Sequence, residues 1–483
     1  MLPVHTKQTR YVTPPSLHPR PVLPNGAWLA SRTRRPWPPL ESAYAWSMTG
    51  PGPQDWLSRP VLEIVPNGAA EGALEAPASK SLTNRLLVMA ALADGKSVLR
   101  RLLVSDDTVA MTAGLRALGA RIESLDDRTE VSGTSGRPVA AGVTLDAGLS
   151  GTTLRFLAAV ALLASGTVVL DGHEPLRRRP IAPLVDVLRA AGAEVVTDHG
   201  RPPLRISGHG LAGGVLRVDA GASSQFATAL LLVGPYGDDD LVLEVGGLDE
   251  LGYVRLTVDA MERWGATVVE EAPGRFRVSA GAPYAAREES VEHDASAAAH
   301  LYALAAATGG SITVTNAFET AQPDGRFVEL LAAMGARFAR GPGGTRIERP
   351  GDLTGVAVDL GAMPDQLPTV AVLGALARGD TMIRGVAIAR GHESDRIRAV
   401  ATELRRLGAA AEETPDGLIV RGGAPLHGGR VDTYRDHRIA MAFTAIGAAV
   451  PGVEISDPGC VAKTYPGFFD DVAQLGVGIR ATR

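Results

Sequence analysis

Apolar and small residues recur along the chain in a unit of about 70 residues. A helix ending in Gly-Ala and followed by a strand is written as Leu115-Arg-Ala-Leu-Gly-Ala-Arg-Ile122 and Leu188-Arg-Ala-Ala-Gly-Ala-Glu-Val195. It returns as Met261-Glu-Arg-Trp-Gly-Ala-Thr-Val268, Leu331-Ala-Ala-Met-Gly-Ala-Arg-Phe338 and Leu404-Arg-Arg-Leu-Gly-Ala-Ala-Ala411, and a worn copy, Gln474-Leu-Gly-Val477, lies near the end. Glycine just past the last turn of a helix suits the left-handed C′ position. Six copies in register are the mark of a repeat architecture.

Each unit reads alike. A short strand (143–146, 216–219 or 356–359) leads through a loop of small residues into a first helix. A glycine-flanked strand (166–170, 310–314), a second helix with the Gly-Ala end, and two more strands follow. Parallel strand–helix–strand crossovers should be right-handed. The pattern predicts an α/β fold of two lobes, three units to each, with helices inside and sheets outside. Residues 61–78 and 292–483 should form the lobe holding both termini, and 79–291 the second lobe. The chain should cross between them near 65–76 and near 286–293.

The concentrated polar chemistry sits at the predicted helix starts. In Pro77-Ala-Ser-Lys-Ser-Leu-Thr-Asn-Arg85, serines that suit an N-cap precede an apolar run, so Lys80, Ser81 and Arg85 fall beside unpaired backbone N–H groups. The other first helices start near Gly151-Thr152, Ser223-Ser224-Gln225, Asp294, Asp365 and Asp436-His437-Arg438. Second helices start near Asp106-Asp107, Arg177-Arg-Arg179, Gly252-Tyr253, Gln322-Pro-Asp324, Glu393-Ser-Asp-Arg396 and Lys463. Helix N-termini gathered with cations attract anions. The implied site is a cleft between lobes for a multiply anionic ligand.

Composition narrows the function classes. With 483 residues, 45% of them hydrophobic, the chain can bury more than one core. A net charge of −5 with interspersed signs argues against a nucleic-acid partner. The single cysteine, Cys460, excludes a disulfide framework and any cysteine-rich metal site. No apolar run is long enough to span a bilayer. Residues 1–60 are rich in proline and arginine, and Glu41 is their only acid before Asp55. They read as a disordered extension without a part in function, with a transit peptide or a start at Met48 as the alternatives.

The ordered motifs Ser79-Lys-Ser-Leu-Thr-Asn-Arg85, Gly151-Thr-Thr-Leu-Arg155, Arg179-Pro-Ile181, Ser223-Ser-Gln-Phe226, Glu393-Ser-Asp-Arg396, Asp436-His-Arg-Ile-Ala-Met441 and Ala462-Lys-Thr464 resemble those of the 5-enolpyruvylshikimate-3-phosphate synthase family. The resemblance runs from about Val61 to the C-terminus. It implies six βαβαββ units in two inside-out lobes that close on substrate. It further implies a cytoplasmic monomer that uses no cofactor or metal and transfers the enolpyruvyl group of phosphoenolpyruvate to the 5-hydroxyl of shikimate 3-phosphate. On this resemblance Lys80 meets both substrates, Ser81 and Arg85 hold the shikimate carboxylate, and Ser223 and Ser224 take its phosphate. Gln225 lies against the ring, Tyr253 stands on the substrate side, and Gly151 and Thr152 lie near phosphoenolpyruvate. Arg179, Arg396, Arg438 and Lys463 surround that substrate. Asp365 takes the hydroxyl proton and Glu393 protonates the methylene carbon, with Lys80 and His437 near enough to share.

Crowding by other acids is expected to raise these carboxyl pKa values toward working pH. Departures from the family pattern are Leu149 for an asparagine, Glu250 for a serine, and Ile388 and His392 for an asparagine and a lysine. Rival readings are the enolpyruvyl transferase acting on UDP-N-acetylglucosamine and a non-catalytic anion-binding protein of the same fold. The first typically has a cysteine in its first-half lobe and Lys-Asn where this chain has Lys80-Ser81.

Overall fold

Gly119, Gly192, Gly265, Gly335, Gly408 and Gly476 all adopt positive φ, between 90° and 106°. Each turns the chain out of a helix and into a strand, a conformation that costs any residue with a Cβ. The structure, a computed structural model, describes residues 55–139, 142–248 and 250–482. The expectations for residues 1–54, including the alternative start at Met48, fall outside that range; residues 55–60, expected to belong to the disordered extension, are instead part of the fold, with Trp56 buried and donating to Asp470 Oδ1 (3.0 Å).

The described residues form six four-stranded sheets of one topology. In one, Val143–Asp146 pairs in parallel with Gly166–Asp171, which pairs antiparallel with Arg201–Gly208, itself in a hairpin with Glu194–Asp198. Along Arg201–Gly208, Pro202, Leu204 and Ile206 are buried while the residues between them face solvent, the alternation of a sheet with one wet face. The repeat breaks where the chain passes between lobes. Glu71–Leu74 joins Ser311–Val314, and Glu288–Ser290 joins Lys96–Arg100, both in parallel. The passing segments run side by side, with Ala78 bridged to His293. Ser79 N donates to Glu292 O (2.9 Å) and Asp294 N to Pro77 O (2.7 Å). The first crossing therefore lies at 77–79, later than the expected 65–76, because 71–74 is still an edge strand.

Two hydrophobic cores result. One draws on Trp56 to Ala76 and Ala297 to Val477, the other on Ala78 to Val291. At their centres stand Lys80–Leu92, Gly151–Val160 and Gln225–Val233 in one, and Ala295–Thr308, Leu367–Leu376 and His437–Gly447 in the other. All ten residues of Gly151–Val160 are buried, as are all eleven of His437–Gly447, so these helices have no wet face. Among the described residues no helix is long and apolar enough to cross a membrane. With their flanks enclosed, the helices present polar side chains chiefly at their starts, where Ser79, Ser150, Asp294 and Asp436 accept from the first-turn N–H groups of Leu82, Thr153, Ala297 and Arg438.

A candidate active site between the lobes

Lys80 is the first residue of its helix, and its ammonium lies 3.3 Å from Asp107 Oδ2. The other oxygen, Asp107 Oδ1, is 3.1 Å from Lys463 Nζ, which comes from the opposite lobe. Lys463 also donates to Leu149 O (2.8 Å) and stands 3.7 Å from Glu393 Oε1. Glu393 is held by Arg179 from across the cleft (3.2 Å) and by Arg396 (2.8 Å). Arg396, only 1% exposed, forks onward to Asp365 (2.6 Å) and Asp436 (2.8 Å), and Arg438 NH2 reaches the far oxygen of Asp365 (3.2 Å). One continuous charge network thus runs from Lys80 to Arg438. It brings together Lys80, Arg179, Asp365, Glu393, Arg396, Arg438 and Lys463.

A second, less charged wall comes from the starts of Gly151–Val160 and Gln225–Val233. Arg155 NH1 donates to Gln225 Oε1 (2.7 Å), and Gln225 Nε2 donates to Thr152 Oγ1 (3.1 Å). Burial, with the Arg179 charge, pushes Arg155 down to about 9. Its guanidinium lies over the Phe226 ring, a cation held by an amide and an aromatic face. A Cβ on Gly151 would fall 2.9 Å from Arg155 NH1 and 3.1 Å from Arg179 NH1, so the two guanidiniums close on bare backbone there. Ser224 precedes its helix without capping it through its hydroxyl, and Ser223 Oγ accepts from Gln225 N (3.3 Å). Arg85 turns inward: it donates to Thr257 Oγ1, Ser81 O and Tyr253 O at 2.8, 2.8 and 3.1 Å. Burial pushes it down to about 10.

The electrostatics reverse one expectation. Burial alone would raise Glu393, but the Arg179, Arg396 and Lys463 charges hold it well below the usual carboxylate range. Burial likewise opposes ionisation of Asp365, and Arg438 with Arg396 overrides it, holding the carboxyl far below its ordinary value. Both groups are ionised because each has at least two cations against it, which outweighs crowding by neighbouring acids. Asp324 goes the other way. Burial and the Asp365 charge raise it, and it accepts from Tyr253 OH (2.6 Å) and Gln366 Nε2 (2.7 Å).

Two histidines of the site are kept neutral. His437, 1% exposed, has no hydrogen-bond partner on either ring nitrogen among the described residues; burial and the Arg438 charge hold it well below its ordinary value. His392 is pushed down to about 4 by burial and the Arg396 charge. Arg396 NH1 lies 3.0 Å from His392 Nδ1, which makes that nitrogen the acceptor and places the proton on Nε2. His392 therefore does not restore the cation of the family's lysine. Its sign on stability is definite. Below the ordinary 6.5 the unfolded chain takes a proton that the folded chain refuses down to about 4, so stability falls with pH in that window. Denaturant unfolding of His392→Gln between pH 6.5 and 4.5 should show a shallower loss than the parent, by at most about 1.4 kcal/mol per pH unit. Equal slopes would mean that His392 is protonated in the folded protein.

Several site residues were not picked out by their sequence. Asp107 and Asp324 stood out only as helix starts, and Arg155 and Asp436 only as members of motifs. Gln366 follows Asp365 with no signal of its own. His300, which stands in no motif, lies 3.4 Å from Arg438 NH1 and 3.3 Å from Thr369 Oγ1.

Such a site, assembled by two inside-out α/β lobes and rich in arginine and lysine, is built to bind anionic ligands. A family model for EPSP synthase (3-phosphoshikimate 1-carboxyvinyltransferase) matches residues 64–472, and the chain belongs to that family. It is 42% identical over 424 residues to the 3-phosphoshikimate 1-carboxyvinyltransferase of Methanoculleus marisnigri, covering 87% of this chain and 100% of that protein. The relative so named from Methanothermobacter thermautotrophicus is 41% identical over 86% of this chain and 98% of its own length. The solved EPSP synthase of Acinetobacter baumannii superposes with a TM-score of 0.75 at 25% identity, covering 88% of this chain and all of that one (100%). These relatives do not favour either rival reading.

Proposed function

We propose that the protein transfers the enolpyruvyl group of phosphoenolpyruvate to the 5-hydroxyl of shikimate 3-phosphate and releases phosphate. The carrying observation is the network of Lys80, Arg179, Arg396, Arg438 and Lys463, drawn from both lobes and paired in the protein with carboxylates. Arginine forks suit a carboxylate and a phosphate on one small molecule. Ser81, Arg85, Ser223, Ser224, Gln225 and Tyr253 take the shikimate half, with Gly151 and Thr152 beside phosphoenolpyruvate. Residues 61–78 with 292–483, and 79–291, act as the closing bodies. The enzyme works as a cytoplasmic monomer without cofactor, metal, nucleic acid or membrane.

Asp365 accepts the proton of the 5-hydroxyl as its oxygen attacks the enol carbon, and Glu393 gives a proton to the methylene carbon. The tetrahedral adduct then loses phosphate while Glu393, now a carboxylate, takes a proton back from the methyl group, restoring the double bond as an enol ether. Glu393 must be protonated to act as the acid, and its cations oppose that. Phosphoenolpyruvate supplies the remedy for both carboxyls: its phosphate and carboxylate engage Arg179, Arg396, Arg438 and Lys463, so Glu393 rises toward working pH and Asp365, relieved of Arg396 and Arg438, regains basicity. Mass spectrometry of the product is the test. Shikimate 3-phosphate should gain one enolpyruvyl group with its own phosphate intact; an adduct on a nucleotide sugar instead, or none, would contradict the reading.

A further inference from the structure

Asp107 belongs to neither substrate set, yet it is the carboxylate on which both site lysines converge. Its side chain is 3% exposed, with Oδ2 at 3.3 Å from Lys80 and Oδ1 at 3.1 Å from Lys463. Two features fix it in place. It sits in the first turn of Asp106–Ala117, where the helix dipole favours an acid, and its carbonyl accepts from Thr153 Oγ1 (3.1 Å), tying it to the neighbouring buried helix. Lys463 is the partner that crosses the cleft: its ammonium is carried on a long stem from a 3-10 turn in the opposite lobe. Of the three oxygens it reaches, Asp107 Oδ1 and Leu149 O belong to the 78–291 core lobe, and only Glu393 Oε1 to its own.

Asp107 is ionised. Burial opposes its charge, but the Lys463 and Lys80 ammoniums hold it below the usual carboxylate range. Were it neutral, two ammoniums from opposite lobes would face one another with no counter-charge between them, and closure would be penalised.

We propose that Asp107 is a positioning residue for the reaction: its carboxylate draws Lys463 across the cleft and sets that ammonium opposite Lys80, so that both lysines are in place for the anionic substrate. The inference rests on the function proposed above. It acts through Lys463, which makes it separable from a merely structural role by a double-mutant cycle. Asp107→Asn should raise KM for phosphoenolpyruvate about tenfold or more with a smaller fall in kcat, because the defect is in assembling the cation pair. Lys463→Gln should raise it at least as much. The double variant should be no worse than Lys463→Gln within about twofold, since Lys80 keeps its place as the first residue of its helix and Asp107 has no ammonium left to draw from the opposite lobe.

Asp107→Glu keeps the charge and should recover most of the loss; should the amide variant not fold, Asp107→Ser, which also removes the carboxylate, takes its place in the cycle. Effects of the two single variants that multiply in the double, or an Asp107→Asn that lowers Tm while KM stays normal, would overturn the proposal. Parent protein that turns over beside a multiplicative cycle overturns this inference alone. Parent protein without turnover overturns the reaction and this inference together.

Discussion

Lys80→Met is expected to lower turnover by about a hundredfold or more while leaving the protein folded. The substitution keeps an apolar stem of similar length and removes a charge placed where ligand and proton transfer need it. For stability, an ammonium at a helix start gains nothing from the helix itself, because the dipole there disfavours it. The structure adds a favourable partner, Asp107, at 3.3 Å. That partner is not stranded by the change, since Lys463 still holds its other oxygen at 3.1 Å. The full penalty for orphaning a buried charge is therefore avoided, and the net change in unfolding free energy should stay within about 1 kcal/mol. Urea unfolding alongside steady-state kinetics checks both halves. A variant that unfolds, or one that turns over normally, would contradict the role given to Lys80.

Arg396→Leu should also abolish turnover, and it should destabilise the fold by about 3–5 kcal/mol. The contrast with Lys80 follows from the number of partners left behind. Arg396 holds Asp365, Asp436 and Glu393 at 2.6 to 2.8 Å, and Asp436, which is fully buried, has only Ser394 Oγ (3.0 Å) and the N–H of Arg438 (3.0 Å) to fall back on. Losing the guanidinium leaves acids in a low-dielectric site with less compensation, the costly way to break a buried ion pair. The pH sign follows. In the parent, Asp365 and Glu393 are depressed in the folded state, so their contribution is present above the ordinary carboxylate range and lost as pH falls through it. In the variant those carboxyls rise, so the stability gap should narrow on acidification. Denaturant unfolding at neutral pH and near pH 5 measures it; a variant as stable as the parent at neutral pH would show that Arg396 does not hold the network together.

The repeat was legible because it rests on backbone geometry. Gly119, Gly192, Gly265, Gly335, Gly408 and Gly476 stand where only glycine turns cheaply, so spacing alone revealed the six units. The exchange of Glu71–Leu74 and Glu288–Ser290 between units was not legible, because a four-residue or three-residue edge strand carries no mark of which sheet it joins. In the site, the cations could be read from their places at helix starts. Their counter-charges could not: Asp107 meets Lys463 only because the lobes meet, across more than 350 residues of chain. The same gap explains the reversed carboxyl shifts. Glu393 and Asp365 were weighed against neighbouring acids, whereas the folded chain sets Arg179, Arg396, Arg438 and Lys463 around them.

The central claim is that both substrates must occupy one cleft for a phosphate to leave. Phosphate release should be followed with shikimate 3-phosphate and phosphoenolpyruvate together, and with each alone. The account predicts sustained release from the mixture and none above background from either compound by itself. No release from the mixture, or equal release from phosphoenolpyruvate alone, would contradict it.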